Sequence, residues 1–179
     1  MALFEPERYF SRLSFIDISF DIERLGFECV LLDVDNTVLT RDTRTVPRDI
    51  LLWLSKLKST GIGVCFLSNN FHRDVLEVAN ELNISIVAKA LKPLPFGFYR
   101  ACKLMDVSPK QTLMIGDQLG TDIVGAHIAG LHAYMVCPLA TEDLPYAKVM
   151  RVFERAFLKD KEPEGVSCLG ETIATSDKA

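Results

Sequence analysis

The stretch CVLLDVDNTVLT, residues 29–40, decides the fold. Four apolar residues, Cys29 to Leu32, run straight into Asp33 and Asp35, with Thr37 two positions further on. The run has the length of a buried strand, and side chains alternate along a strand, so acids at i and i+2 face the same way. Just past a strand's carboxyl end they project into the crevice where open α/β sheets bind ligands. The same residues also read as a plain turn, with Asn36 and Thr37 as turn formers.

Outward from this strand, short apolar runs alternate with segments of helical period. Further strands are predicted at IGVCFL (62–67), ISIVAK (84–89), TLMI (112–115) and HAYMV (132–136). Between the first two strands, Pro47 suits a helix start, Ile50, Trp53, Leu54 and Leu57 repeat at three and four, and Gly61 suits the stop. More helices are predicted over about 71–82 and 96–105, from near Gln118 to Gly130, and over about 144–158. Such alternation implies β-α-β units and an α/β fold with a doubly wound parallel sheet covered on both faces. One domain over 1–158 is expected, followed by a polar, flexible tail over 159–179.

Composition narrows the function classes. The 179 residues are 49% hydrophobic and 25% charged, with a net charge of −4 and a pI near 5.4. A basic excess, the usual footprint of a nucleic-acid binder, is missing, so no nucleic-acid partner is expected. The five cysteines form no Cys-x-x-Cys pair, so reduced thiols are expected. His72, His127 and His132 show no ligand spacing and are assigned no metal. No window approaches the ~18 apolar residues of a membrane span, and the N-terminal residues are too charged for a signal peptide. A cytoplasmic protein is expected.

Three other strand ends carry chemistry. Ser68 follows the second strand at the start of SNN, where a hydroxyl and backbone N–H groups can hold an anion or merely cap a helix. Lys92 follows the third and is fixed in an extended or turn conformation by Pro93. Asp117 follows the fourth within GDQLGTD, and Asp122 stands five residues later. Close carboxylates repel each other unless a cation or proton resolves the conflict. Mg2+ would do so, because it takes one or two carboxylates while engaging a phosphate.

The order Asp33-x-Asp35-x-Thr37, Ser68, Lys92-Pro93, Gly116-Asp117 and Asp122 resembles the four motifs of the haloacid dehalogenase (HAD) superfamily. The wording SNN, KPLPFGF and GDQLGTDIVGAHIAG is most similar to the YqeG-like branch of subfamily IIIA, related to mitochondrial phosphatidylglycerophosphate phosphatases. The resemblance implies a Rossmann-like core and a Mg2+-dependent phosphatase. Asp33 would be the nucleophile that forms an aspartyl phosphate, and Asp35 the general acid and base. Mg2+ would be held by the Asp33 carboxylate, the Asp35 backbone carbonyl and the Asp117 carboxylate. Ser68 and Lys92 would hold the phosphoryl oxygens, with Thr37 and Asn69 as supports of the phosphate pocket and Asp122 orienting Lys92 or a metal-bound water.

Only one helix and one strand fit between Thr37 and Ser68, and again between Ser68 and Lys92, so no cap domain is expected. An open site suits a large or surface-bound phosphate, phosphatidylglycerophosphate being the substrate favoured by the resemblance. Two alternatives stay open: a soluble sugar-phosphate or nucleotide phosphatase, and a non-catalytic phosphate-binding or scaffold protein of the same fold. The segment 1–27 is rich in Phe, Tyr, Leu and Ile; it is expected to pack on the core or to face a membrane as a peripheral contact.

Overall fold

A computed structural model of the chain describes residues 3–139 and 162–165. Six strands make one sheet: β1 (Arg8–Phe10), β2 (Cys29–Leu32), β3 (Gly63–Leu67), β4 (Ser85–Val87), β5 (Thr112–Gly116) and β6 (His132–Val136). Their order is β1-β6-β5-β2-β3-β4, and every neighbouring pair is parallel. The α-helices among the described residues are α1 (Arg48–Ser59), α2 (Arg73–Glu81), α3 (Pro95–Met105) and α4 (Val124–Ile128).

Strand alternation sorts the core into two layers. Val30, Leu32, Val64, Phe66, Leu113 and Ile115 turn to one face, where they meet Ile50, Trp53, Leu54 and Leu57 of α1 and Val75 and Ala79 of α2. Cys29, Leu31, Cys65, Leu67 and Met114 turn to the other, against Phe98, Ala101 and Cys102 of α3 and Ala126 of α4. Helices therefore cover both faces, as a doubly wound sheet requires. β2 lies between β3 and β5, and all four of its residues are inaccessible to solvent.

Element boundaries follow local chemistry. α1 places Asp49 in its first turn and Lys56 and Lys58 in its last, each favourable to the helix dipole. Past its end Gly61 takes φ +84, which a residue without Cβ adopts freely. α2 starts at Arg73 rather than Phe71, because His72 is extended, with φ −60 and ψ 151. The single helix expected near 118–130 is two pieces. A wide turn over Leu119–Ile123, with Ile123 N–H donating to Gln118 O at 3.5 Å, precedes α4 and buries Asp122 completely.

The edge strand β1 was not among the expected strands. Arg8–Phe10 pairs with Tyr134–Val136, while Phe10, Leu13, Ile16 and Ile18 sink into the core. Trp53 Nε1 donates to Ile16 O at 2.8 Å, and Arg12 Nε donates to Asp49 at 2.5 Å, so the N-terminal segment is fastened to α1. Phe4, Phe15 and Phe20 remain exposed. On the outer edge of β1, Ser11 N–H donates to Glu164 O at 2.9 Å and Glu164 N–H to Tyr9 O at 2.7 Å. The helix expected over 144–158 lies outside the described residues, as does all of the expected tail except 162–165.

The expectation of reduced thiols needs one correction. Cys29, Cys65 and Cys102 are buried and free, but Cys137, just past β6, is disulfide-bonded. Pairing depends on which cysteines the fold brings together, and spacing alone does not reveal it. Among the described residues no helix is long and apolar enough to cross a membrane.

Candidate active site

The predicted site residues stand at the carboxyl ends of four adjacent strands. Asp33 N–H donates to Ile115 O at 2.9 Å and Ser68 N–H to Val87 O at 3.1 Å, so the sheet ladder runs on into the site. Parallel register keeps these ends level, with Leu32 beside Phe66 and Ile115. A cavity of about 190 Å3 opens there, lined by Asp33, Asp35, Arg41, Asn69, Asn70, Lys92, Gln118 and Thr121. Thr37, Ser68 and Asp122 are packed behind it, essentially without solvent contact.

At the centre is a buried charge cluster. Lys92 Nζ donates to Asp33 Oδ1 at 2.6 Å and to Asp122 Oδ1 at 2.7 Å. Burial by itself would favour a neutral amine; Asp122 and then Asp33 outweigh it and hold the ammonium charged, above the ordinary lysine value. For Asp33 burial dominates and pushes the carboxyl up to about 7, against the pull of Lys92 and with Asp122 and Asp35 adding to it. A positive charge brought close to Asp33 would favour its ionised form. Asp122 is held on its other side as well, its Oδ2 accepting from Gln118 N–H at 3.1 Å. Gly116 makes room for it, since a Cβ there would overlap the Asp122 carboxylate.

Asp35 faces the same cavity but belongs to a second group. Its Oδ1 accepts from Arg44 Nη1 at 2.6 Å and its Oδ2 from Asn70 Nδ2 at 2.8 Å. Arg44 also clasps Asp74 at the start of α2. Asn69 joins the loops after β3 and β4, because its Nδ2 donates to Lys92 O at 3.0 Å while its Oδ1 accepts from Lys92 N–H at 2.7 Å. Ser68 Oγ accepts from Asn70 N–H at 3.0 Å.

The donor set fits a hard divalent cation. One carboxylate oxygen each from Asp33, Asp117 and Asp122 lie within 4.8 Å of one another, and all three residues are buried. Asp33 Oδ2 is itself buried with no hydrogen-bond partner, an arrangement that is costly unless something satisfies it. All-oxygen coordination is what Mg2+ and its relatives take. The Asp35 carboxyl is engaged elsewhere. Thr37 Oγ1 and Asn36 Oδ1 are also buried without partners.

Arg41, Arg44, Asn70, Gln118 and Thr121 were not singled out in the sequence. Asn70 stands inside the quoted SNN, and Gln118 and Thr121 inside GDQLGTD, so adjacency to a strand end was their only signal. The arginines lie in a Thr-rich turn with no periodicity to mark them.

Residues 5–130 match the family described as haloacid dehalogenase-like hydrolase. The chain is 32% identical over 136 residues to "Probable phosphatase YqeG" of Bacillus subtilis, spanning 76% of this chain and 79% of that protein. Human N-acylneuraminate-9-phosphatase is 39% identical over 69 residues, 35% of this chain and 28% of that one. The fold is shared with solved structures. An uncharacterized Listeria monocytogenes protein superposes with TM-score 0.53 at 21% identity, over 71% of this chain and 97% of that one. The cobalt-bound deoxy-D-mannose-octulosonate 8-phosphate phosphatase of Haemophilus influenzae superposes with TM-score 0.51 at 16% identity, over 75% and 89%.

Proposed function

This chain belongs to the haloacid dehalogenase-like hydrolases, and on that premise we propose that it is a Mg2+-dependent phosphatase that cleaves a phosphate monoester through an aspartyl phosphate on Asp33. One observation carries the reading. Asp33 has one oxygen fixed by Lys92 and the other buried without a partner, in the wall of a crevice at the sheet's carboxyl edge.

In the first step an Asp33 oxygen attacks phosphorus and the ester P–O bond breaks, while Asp35 gives its proton to the departing alkoxide. In the second step Asp35 takes a proton from a water that attacks the same phosphorus. The bond to Asp33 breaks, and phosphate leaves. Arg44 and Asn70 keep the Asp35 carboxyl in one orientation through both transfers. Lys92 neutralises charge on the transferring oxygens, and Asp122 and Asn69 fix its head and its backbone. Asp33 and Asp117 would hold Mg2+, with the Asp35 backbone carbonyl, and the ion would let an anionic nucleophile approach an anionic ester. Thr37 and Ser68 brace the pocket from behind.

The favoured substrate is phosphatidylglycerophosphate or another large or surface-bound phosphate. Two features support this. α1 and β3 fill the chain between the first two motifs and α2 and β4 fill the next interval, so among the described residues neither interval holds an inserted cap. The loops bordering the crevice expose Phe71, Leu91 and Leu94, and the first turn of α3 exposes Phe96, apolar surface suited to a peripheral contact at the inner face of a membrane. Phosphate release with Mg2+ from lipid vesicles and from water-soluble esters, wild type beside Asp33→Asn, tests the reading. Mg2+-dependent release by the wild type alone is expected; equal rates in the two proteins would remove Asp33 as nucleophile, and activity confined to small soluble esters would remove the lipid substrate.

A further inference from the structure

Two cations line the crevice, Lys92 and Arg41, and only one is already committed. Lys92 is bonded to Asp33 and Asp122. Arg41 is half-buried and, among the described residues, makes no salt bridge or side-chain hydrogen bond. Asp35, an acid on the same wall, has both oxygens taken by Arg44 and Asn70. The other lining groups are Asp33, whose Oδ1 is bonded to Lys92, and the neutral Asn69, Asn70, Gln118 and Thr121. A guanidinium at a recessed wall that neither lining acid bonds is a ready receptor for a carboxylate or phosphate, which it grips with two parallel hydrogen bonds.

The turn that carries Arg41 is braced. Thr40 N–H donates to Thr45 O at 3.0 Å and Arg44 N–H to Thr40 O at 3.1 Å. The hydroxyls of Thr40, Thr43 and Thr45 form a chain with steps of 2.6 and 2.8 Å. Arg44, from the same turn, is tied to Asp35 and Asp74. The two arginines thus divide the work: Arg44 anchors the turn, and Arg41 is presented by it. Holding the backbone in place beforehand lowers the entropy lost when a ligand binds. The cavity, of about 190 Å3, is large enough for more than a single water.

We propose that Arg41 is a specificity residue that binds a second anionic group of the substrate, so the preferred ligand is a phosphate monoester carrying a further negative charge. The inference rests on the phosphatase reading above and adds the substrate class. The second anion can be a soluble compound's carboxylate or a lipid headgroup's phosphodiester.

Matched pairs separate the two sources: glycerol 3-phosphate against 3-phosphoglycerate in solution, and phosphatidic acid against phosphatidylglycerophosphate in phosphatidylcholine vesicles. Each is measured with Mg2+ as a competitor of p-nitrophenyl phosphate, for wild type, Arg41→Gln and Arg41→Lys. In at least one pair the wild type should prefer the two-anion ligand by about tenfold, as one charge-assisted bidentate contact warrants. Arg41→Gln should bring that ratio to about one, and Arg41→Lys should keep part of it; the pair that responds identifies the source. Absence of preference in both pairs, or a preference that persists in Arg41→Gln with a wild-type circular dichroism spectrum, would overturn the assignment. Failure of the wild type to hydrolyse p-nitrophenyl phosphate would instead count against the phosphatase reading, and the same ratios, then read by calorimetry, would still decide the role of Arg41.

Discussion

The crevice has two halves built on different terms. On one side, at the ends of β2, β4 and β5, Asp33, Lys92 and Asp122 are buried and joined by bonds of 2.6 and 2.7 Å. On the side of the 40–45 turn, Asp35 is held by Arg44, whose other partner, Asp74, is solvent-exposed for about a third of its side chain. A buried cluster admits one arrangement, because a charge left alone there has no water to turn to. A surface clamp can loosen at little cost to the fold. The first half should therefore govern whether the site exists, and the second how fast and on what it works.

Removing the buried cation should give the largest effect. Lys92→Met leaves two carboxylates facing each other out of water, and a loss of about 3–5 kcal/mol is expected in urea unfolding without metal, together with loss of turnover. A loss under ~1 kcal/mol would place the cluster in a far wetter setting. Gly116→Ala comes next. Its Cβ displaces Asp122 from Lys92 and from Gln118 N–H; about 1–3 kcal/mol of overpacking cost is expected in thermal melts, with slower turnover.

Arg44→Ala addresses the other half. Asp35 keeps Asn70 but loses its charged partner. kcat should fall roughly tenfold to a hundredfold, within the usual contribution of a positioned acid–base group, while stability changes by about 1 kcal/mol or less. A fall in stability as large as that of Lys92→Met would erase the distinction between the halves.

The smallest effect lies away from the crevice, where Arg12 and then Ser14 hold the Asp49 carboxyl down to about 2. The unfolded value is about 3.9, so the folded carboxyl is the stronger acid. The stability it contributes is present above about pH 4 and lost as pH falls toward 2. Arg12→Ala should lower the unfolding midpoint slightly at pH 6 and by less at pH 2. A difference of the same size at both would mean that Arg12 acts by packing alone.

Much of the buried half was legible in the sequence, for a physical reason. An apolar run that ends abruptly in an acid marks a strand end, and Asp33, Lys92 and Asp117 each follow such a run or its turn, so topology alone carries them to one crevice. Asp122 followed from its place in the next turn, although the wide turn that buries it did not. The surface half was nearly invisible: Arg41 and Arg44 sit in a turn whose geometry comes from threonine hydroxyls and from Asp74, contacts that leave no period in the chain. β1 escaped for a related reason. Three residues, one of them an arginine, become a strand only because β6 offers an open edge.

The claim on which the rest stands is that Asp33 carries the phosphoryl group. Acid-quenching the protein during turnover, reducing with borohydride and sequencing the peptides by mass spectrometry reads this directly, since an aspartyl phosphate is reduced to homoserine. Homoserine at position 33, formed only when substrate is present, is the expected result. Homoserine at another position, or none while phosphate is being released, would contradict it.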